Sequence, residues 1–262
     1  MAKNEENKAI VPITSSYAIA NVDRAEIQDA INTIQELNLT MHQLKAIHCP
    51  KGGDVWNVTG IDDETWTGKT LTCIPLYAVS YRGYYGPEAE TDEEVKPPEC
   101  SAVGQEEKCI NCQHDIFYTD PKTGRGMKDC KEKIALFVMR DCDVLPAVLR
   151  VSTKAMKLWR NFAKDLLVGK ALPYHRVMMD VTLSSEKEGR FEYSLPHFRV
   201  NRRLTPEECA ILTDYRTFCQ QIAEASKWTE MAPVVVDSEV PGPTTNSGAD
   251  TPPPVTDDDC PF

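Results

Sequence analysis

The chain has 262 residues, 29 Lys and Arg against 40 Asp and Glu, and a formal net charge of -11. That length holds one medium domain with appendages or two small ones, and 41% hydrophobic residues suits an ordinary core joined to a polar segment. No stretch approaches the roughly 18 apolar residues of a membrane span, and the polar first dozen residues lack a signal-peptide core, so a soluble protein of the cytoplasm with no membrane contact is expected.

The charge is unevenly placed. Residues 229–262 carry seven acids (Glu230, Asp237, Glu239, Asp250, Asp257, Asp258, Asp259) and no base, which leaves 33 acids against 29 bases elsewhere. Five more acids, Glu88, Glu90, Asp92, Glu93 and Glu94, read as one loop. The rest of the body is near neutral, which leaves room for a basic groove.

Residues 1–40 read as an arm followed by a helix. Asp23 caps it, Glu26 follows three residues later, and Ile27, Ile31, Ile34 and Leu37 keep helical spacing. Over 44–48, 55–58 and 70–81, short apolar-polar alternations separated by Gly, Pro, Asn and Asp predict strands. Gly68-Lys69-Thr70 resembles the end of a phosphate-binding loop, but Gly60 stands at the wrong spacing and a strand follows, so a nucleotide hydrolase is rejected. Trp56, Trp66, Tyr77, Tyr81, Tyr84 and Tyr85, with Lys69 and Arg82 among them, suit stacking of unpaired bases with cations on phosphates. The same aromatics fit equally as sheet core.

Cys100, Cys109, Cys112 and Cys130 fall in a polar, loop-like insertion at about 96–132. A Cys-x2-Cys knuckle aims two thiolates at one ion, and two further cysteines complete a tetrahedral site, so one structural Zn2+ is expected, with an iron–sulfur group as the other ligand. His114 is an alternative to Cys100. Four thiolates leave no open position for catalysis. Cys49, Cys73, Cys142, Cys209 and Cys219 read as small packed hydrophobes.

Strands are predicted over 134–140 and 144–151. Ser152-Thr153 then opens a helix with Met156, Trp159, Phe162, Leu166 and Leu167 on its apolar face and Lys154, Lys157, Arg160 and Lys164 on the other. That basic stripe reads either as a solvated face or as phosphate contacts. Strands over 174–183 and 191–200 follow, the second running into Phe198-Arg199-Val200-Asn201-Arg202-Arg203, a basic cluster with the same two readings. Thr205 caps a last helix with Pro206 in its first turn, and the folded part is expected to end near 228. The whole predicts a mainly β (α+β) fold: a core over 41–228 resembling an OB-fold barrel with flanking helices, then a disordered acidic tail over 229–262.

The last six residues are Asp257-Asp258-Asp259-Cys260-Pro261-Phe262. This tip resembles that of bacterial single-stranded-DNA-binding proteins, in which an Asp run precedes Ile-Pro-Phe; Cys260 stands in place of Ile. The resemblance implies that Asp257, Asp258, Asp259, Pro261 and Phe262 recruit replication, recombination and repair proteins. An OB-fold with an inserted zinc subdomain and an acidic tail is also similar to phage helix-destabilising proteins of the T4 type, whose zinc site uses His with Cys. Leu145-Pro146-Ala147-Val148-Leu149 and the helix over 156–162 resemble uncharacterised phage and integrative-element proteins. Together these imply a protein without catalytic activity that coats single-stranded DNA in a bacterial host cell. DNA contact would come from Trp56, Trp66, Lys69, Tyr77, Tyr81, Arg82, Tyr84, Tyr85, Lys154, Lys157, Arg160, Arg199, Arg202 and Arg203. Strand annealing or recombination mediation is the alternative, with a zinc nuclease and a zinc-ribbon adaptor behind it, and self-association is left open.

Overall fold

In a computed structural model, the described residues are 17, 24–59, 65–86, 98–104, 106–119, 121, 124, 126–188 and 191–230. The acidic loop over 88–94 and the Asp257–Phe262 tip, with the whole unit Ala232–Phe262, lie outside them. Among the described residues the fold is mixed α/β and mostly strand: a curled half-barrel sheet with three helices.

Strands β1 (Ala46–His48), β2 (Trp56–Thr59), β3 (Thr65–Gly68), β4 (Thr70–Tyr84) and β5 (Cys100–Val103) come first, after helix α1 (Arg24–Glu36). The short pair β6 (Tyr118–Thr119) and β7 (Gly126–Met127) precedes β8 (Lys131–Met139) and β9 (Ala147–Val151). Helix α2 (Met156–Lys170) leads to β10 (Val177–Glu188) and β11 (Phe191–Arg203), and α3 (Pro206–Ala225) to β12 (Trp228–Glu230). The main sheet runs β1-β9-β8-β4-β10-β11, with β5 joining β4 to β12. The chain therefore returns to the sheet at Glu230, just past the expected end of the folded part.

β4 organises the sheet. Its whole length is shared among three partners: β10 pairs with Thr70–Cys73, β5 with Tyr81–Tyr84, and β8 with Ile74–Gly83 along the other edge. Pro75 has no N–H to donate, and the β8 ladder slips there, leaving Leu76 as an extra residue between Pro75 and Tyr77. The side chains thereby change parity. Leu71 and Cys73 face one core, whereas Leu76, Tyr77 and Tyr81 face the other.

Two cores lie on opposite faces of the sheet. The first takes Ala135, Phe137 and Met139 from β8, Ile27 and Ile31 from α1, and Leu212, Tyr215, Phe218 and Ile222 from α3. The second takes Ile134, Leu136 and Val138 from the other side of β8, with Trp56, Met156, Trp159 and Val181. β8 is buried on both faces, which explains its unbroken apolar run. Not every predicted apolar position is used: Leu37 and Leu167 are exposed. The segment over 174–176 forms a tight 3-10 turn, so β10 begins only at Val177.

Local chemistry sets the helix ends. Thr205 and Glu208 form a reciprocal capping box at α3, and Arg202 holds Glu208 through two 2.8 Å bonds. In the β8–β9 turn, Arg140 binds Asp143 at 2.6 and 2.7 Å, and Lys45 reaches the same carboxylate at 3.2 Å. Burial alone would raise the Asp143 carboxyl, but these cations hold it below the usual carboxylate range. Among the described residues no helix is long and apolar enough to cross a membrane.

α2 ends on Ala171, whose φ of 48° puts a Cβ in the left-handed region while its N–H closes on the Leu166 carbonyl. Ala171→Gly relieves that strain, so denaturant unfolding should show a gain of about 1 kcal/mol; a loss would mean that the Ala171 methyl contributes more than its backbone strain costs.

Candidate nucleic-acid interface

Cys100, Cys109, Cys112 and Cys130 do converge, lining one cavity of about 20 Å³ with Arg82, Tyr84, His114 and Asp115. They do not make the expected zinc centre. Among the described residues, no group of three or more His, Cys, Asp or Glu is placed to hold a metal ion. Among the described residues none of the four is in a disulfide. Burial pushes the Cys109 thiol up and, with the Asp115 charge, the Cys130 thiol up to about 11. The expectation of a Zn2+ cofactor is corrected accordingly.

Ion pairs and ring contacts hold the insertion to the sheet. Asp115 accepts from Arg82 at 2.7 Å and from Lys128 at 2.5 Å. Tyr84 stacks on the His114 ring with centroids 3.7 Å apart. The Cys130 N–H bonds the His114 carbonyl at 2.7 Å, and Tyr118 donates to Asp129 at 2.7 Å. Two predicted DNA contacts, Arg82 and Tyr84, are thus engaged in anchoring the insertion.

The other expected contacts scatter. Trp56 is fully buried and its indole N–H donates to the Val181 carbonyl at 2.9 Å. Tyr81 is buried too, its hydroxyl 3.2 Å from that of Tyr85. Neither ring presents a face for stacking, so for these two the core reading holds and the stacking reading is corrected. Tyr77 packs against Phe137 at the edge of the first core. Tyr85 carries the Lys133 ammonium over its ring at 3.8 Å. Trp66 is exposed on the β2–β3 hairpin, next to which Lys69 pairs with Asp54. Just before α2, Lys154 sits 3.7 Å over the Tyr193 ring; on α2, Arg160 pairs with Glu132 at 3.2 Å and Lys157 is exposed. Arg202 is committed to Glu208, while Arg199 and Arg203 are exposed on β11.

An open groove of about 660 Å³ lies between α2 and β11. Phe162 and Phe198 are half-buried in it, ring centroids 5.9 Å apart, over a floor in which Trp159 lies 5.3 Å from Phe198. Arg199, His197 and Lys170 line it as exposed polar groups; Asp165 is the carboxylate among its lining. Among the described residues β11 is the terminal strand on the main path of the sheet. Aromatic faces beside cations can stack bases and neutralise phosphates. Of the expected contacts only Arg199 lines this groove. The basic stripe of Lys154, Lys157 and Arg160 does not.

Sequence reasoning missed Lys170, His197 and the pairing of Phe162 with Phe198. Phe162 carried a signal, since it sits on the apolar face of α2, but nothing local says that this face meets β11. Arg150, deep in an apolar strand, was also passed over. A charge inside Ala147-Val148-Leu149-Arg150-Val151 is itself a flag.

Asp115→Ala leaves Arg82 and Lys128 without their shared acid. A loss of about 1–2 kcal/mol is expected, reduced by partial exposure. Hydrogen exchange should accelerate across 107–130 and leave β8 protected. Equal acceleration in β8 would mean the insertion is not a separately opening unit.

No family model matches the chain, and no curated protein or solved structure matches it.

Proposed function

We propose that the chain binds single-stranded DNA without sequence preference along the groove between α2 and β11, on a curled sheet that is compatible with an OB-like barrel. The observation that carries the reading is the pairing of Phe162 and Phe198 with Arg199, His197 and Lys170 in one open groove at a sheet edge. Each stacked base contributes roughly 1–3 kcal/mol, and the cations supply a salt-dependent term that ignores sequence. In this reading the protein is a binder rather than an enzyme. It acts on DNA in a bacterial host cell during replication, recombination and repair. Asp257, Asp258, Asp259, Pro261 and Phe262 recruit partner proteins, their acids against a basic rim and the terminal Phe in an apolar hole.

Trp159 lies under the groove against both Phe162 and Phe198, which makes it a built-in reporter. Titration with oligo-dT should change its fluorescence, and affinity should fall with salt. Arg199→Ala should weaken binding to all sequences alike and flatten the logarithmic salt slope by about 0.7, as removal of one phosphate contact on a single strand does. Absence of binding at low salt, or an unchanged slope in the variant, would remove DNA from this groove.

A further inference from the structure

The turn Tyr174–Arg176 leads from α2 into β10, packs against β4 and faces α3 across a shared cavity. Between turn and helix lies a cavity of about 160 Å³. Leu76 and Leu212 give it an apolar floor, while His175, Arg176, Arg216 and Gln220 supply polar walls. Among the described residues no carboxylate lines it. Arg216 Nε is buried with no hydrogen-bond partner among the described residues. Glu208, close in sequence, is taken by Arg202 at 2.8 Å and by the Thr205 N–H at 2.8 Å. Burial, helped by Arg216 and Arg176, pushes the His175 pKa down to about 4, so at neutral pH the imidazole is an uncharged donor and acceptor.

We propose that this cavity binds a single phosphate group between the Arg176 and Arg216 side chains, with His175 and Gln220 as neutral partners. Two guanidinium groups facing one enclosed space repel each other unless an anion sits between them. Their planar forks match the oxygen geometry of phosphate, and a bond to Arg216 Nε satisfies the orphan donor. A cavity of about 160 Å³ takes a tetrahedral oxyanion together with ordered waters. The site is lined by different residues from the α2–β11 groove and does not depend on DNA binding there.

The probe is inorganic phosphate added to the full chain at constant ionic strength, with chloride as the control. Expected are a phosphate-specific rise in Tm and an upward move of the His175 pKa by NMR. Arg216→Met should weaken phosphate about tenfold or more. Should that variant unfold, Arg176→Gln, on the exposed turn, should show a similar loss. No phosphate-specific effect on the native chain, or equal affinity in native and variant proteins, overturns the site. Competition separates the two sources of the group. If oligo-dT lacking terminal phosphates displaces inorganic phosphate, the site holds a strand phosphodiester; if it does not, the site serves a free phosphate or a small phosphomonoester. An Arg199→Ala chain that keeps phosphate binding keeps the proposal intact even if the groove reading fails.

Discussion

A missing hydrogen-bond donor shapes this molecule. Pro75 interrupts the longest strand of the main path, and the residue it displaces, Leu76, turns the rest of β4 over. Without that slip, Tyr77, Val79 and Tyr81 would fall on the same face as Leu71 and Cys73, leaving the α1–α3 core short of its sheet contribution. With it, one continuous strand feeds two cores of opposite sidedness. The change of partner along its edge, β10 before the slip and β5 after, follows from the same break.

Charges inside this framework are handled in two ways. Asp143 is enclosed with Arg140 and Lys45, so each buried charge there meets an opposite one. Arg150 is not treated so generously: it is 7% exposed, Nη2 stands 3.5 Å from the His42 carbonyl, and Nη1 has no partner among the described residues. His42 and His48 beside it are driven down to about 4 by burial and by the Arg150 and Lys133 charges, so at neutral pH they add no further positive charge. The insertion follows the first pattern, with Asp115 shared between a cation of the sheet and a cation of the loop.

Much of the architecture was legible because periodicity survives burial. The helix over Pro206–Ala225 and the run in β8 sit where the Thr205 cap and apolar spacing put them, whereas the helix over Met156–Lys170 keeps its apolar spacing but starts past Ser152-Thr153, with no side-chain cap. What failed was anything set by distant pairing. The cysteines share a cavity as their spacing suggests, yet spacing along a chain does not fix ligand geometry in space. Trp56 and Arg199 have equal claims on paper as polar-tipped or charged side chains near strands. Only the packing of α2 against the sheet decides that one is core and the other lines a groove. Likewise, no local rule could show that Pro75 reverses the faces of β4, because Tyr77 and Tyr81 keep the same spacing from each other either way.

The shared strand also sets an order of events at the ribosome. β4 waits for β8 to supply one neighbour, and for β10, whose Val181 meets Leu71, to supply the other. A nascent chain therefore carries an apolar, unpaired strand edge while more than a hundred further residues are made, at about 5–20 residues per second. During those seconds, Pro75 serves a second purpose. A strand that cannot donate at its midpoint is a poor template for another copy of itself, so the break that divides the two cores also guards the unfinished sheet against pairing in trans.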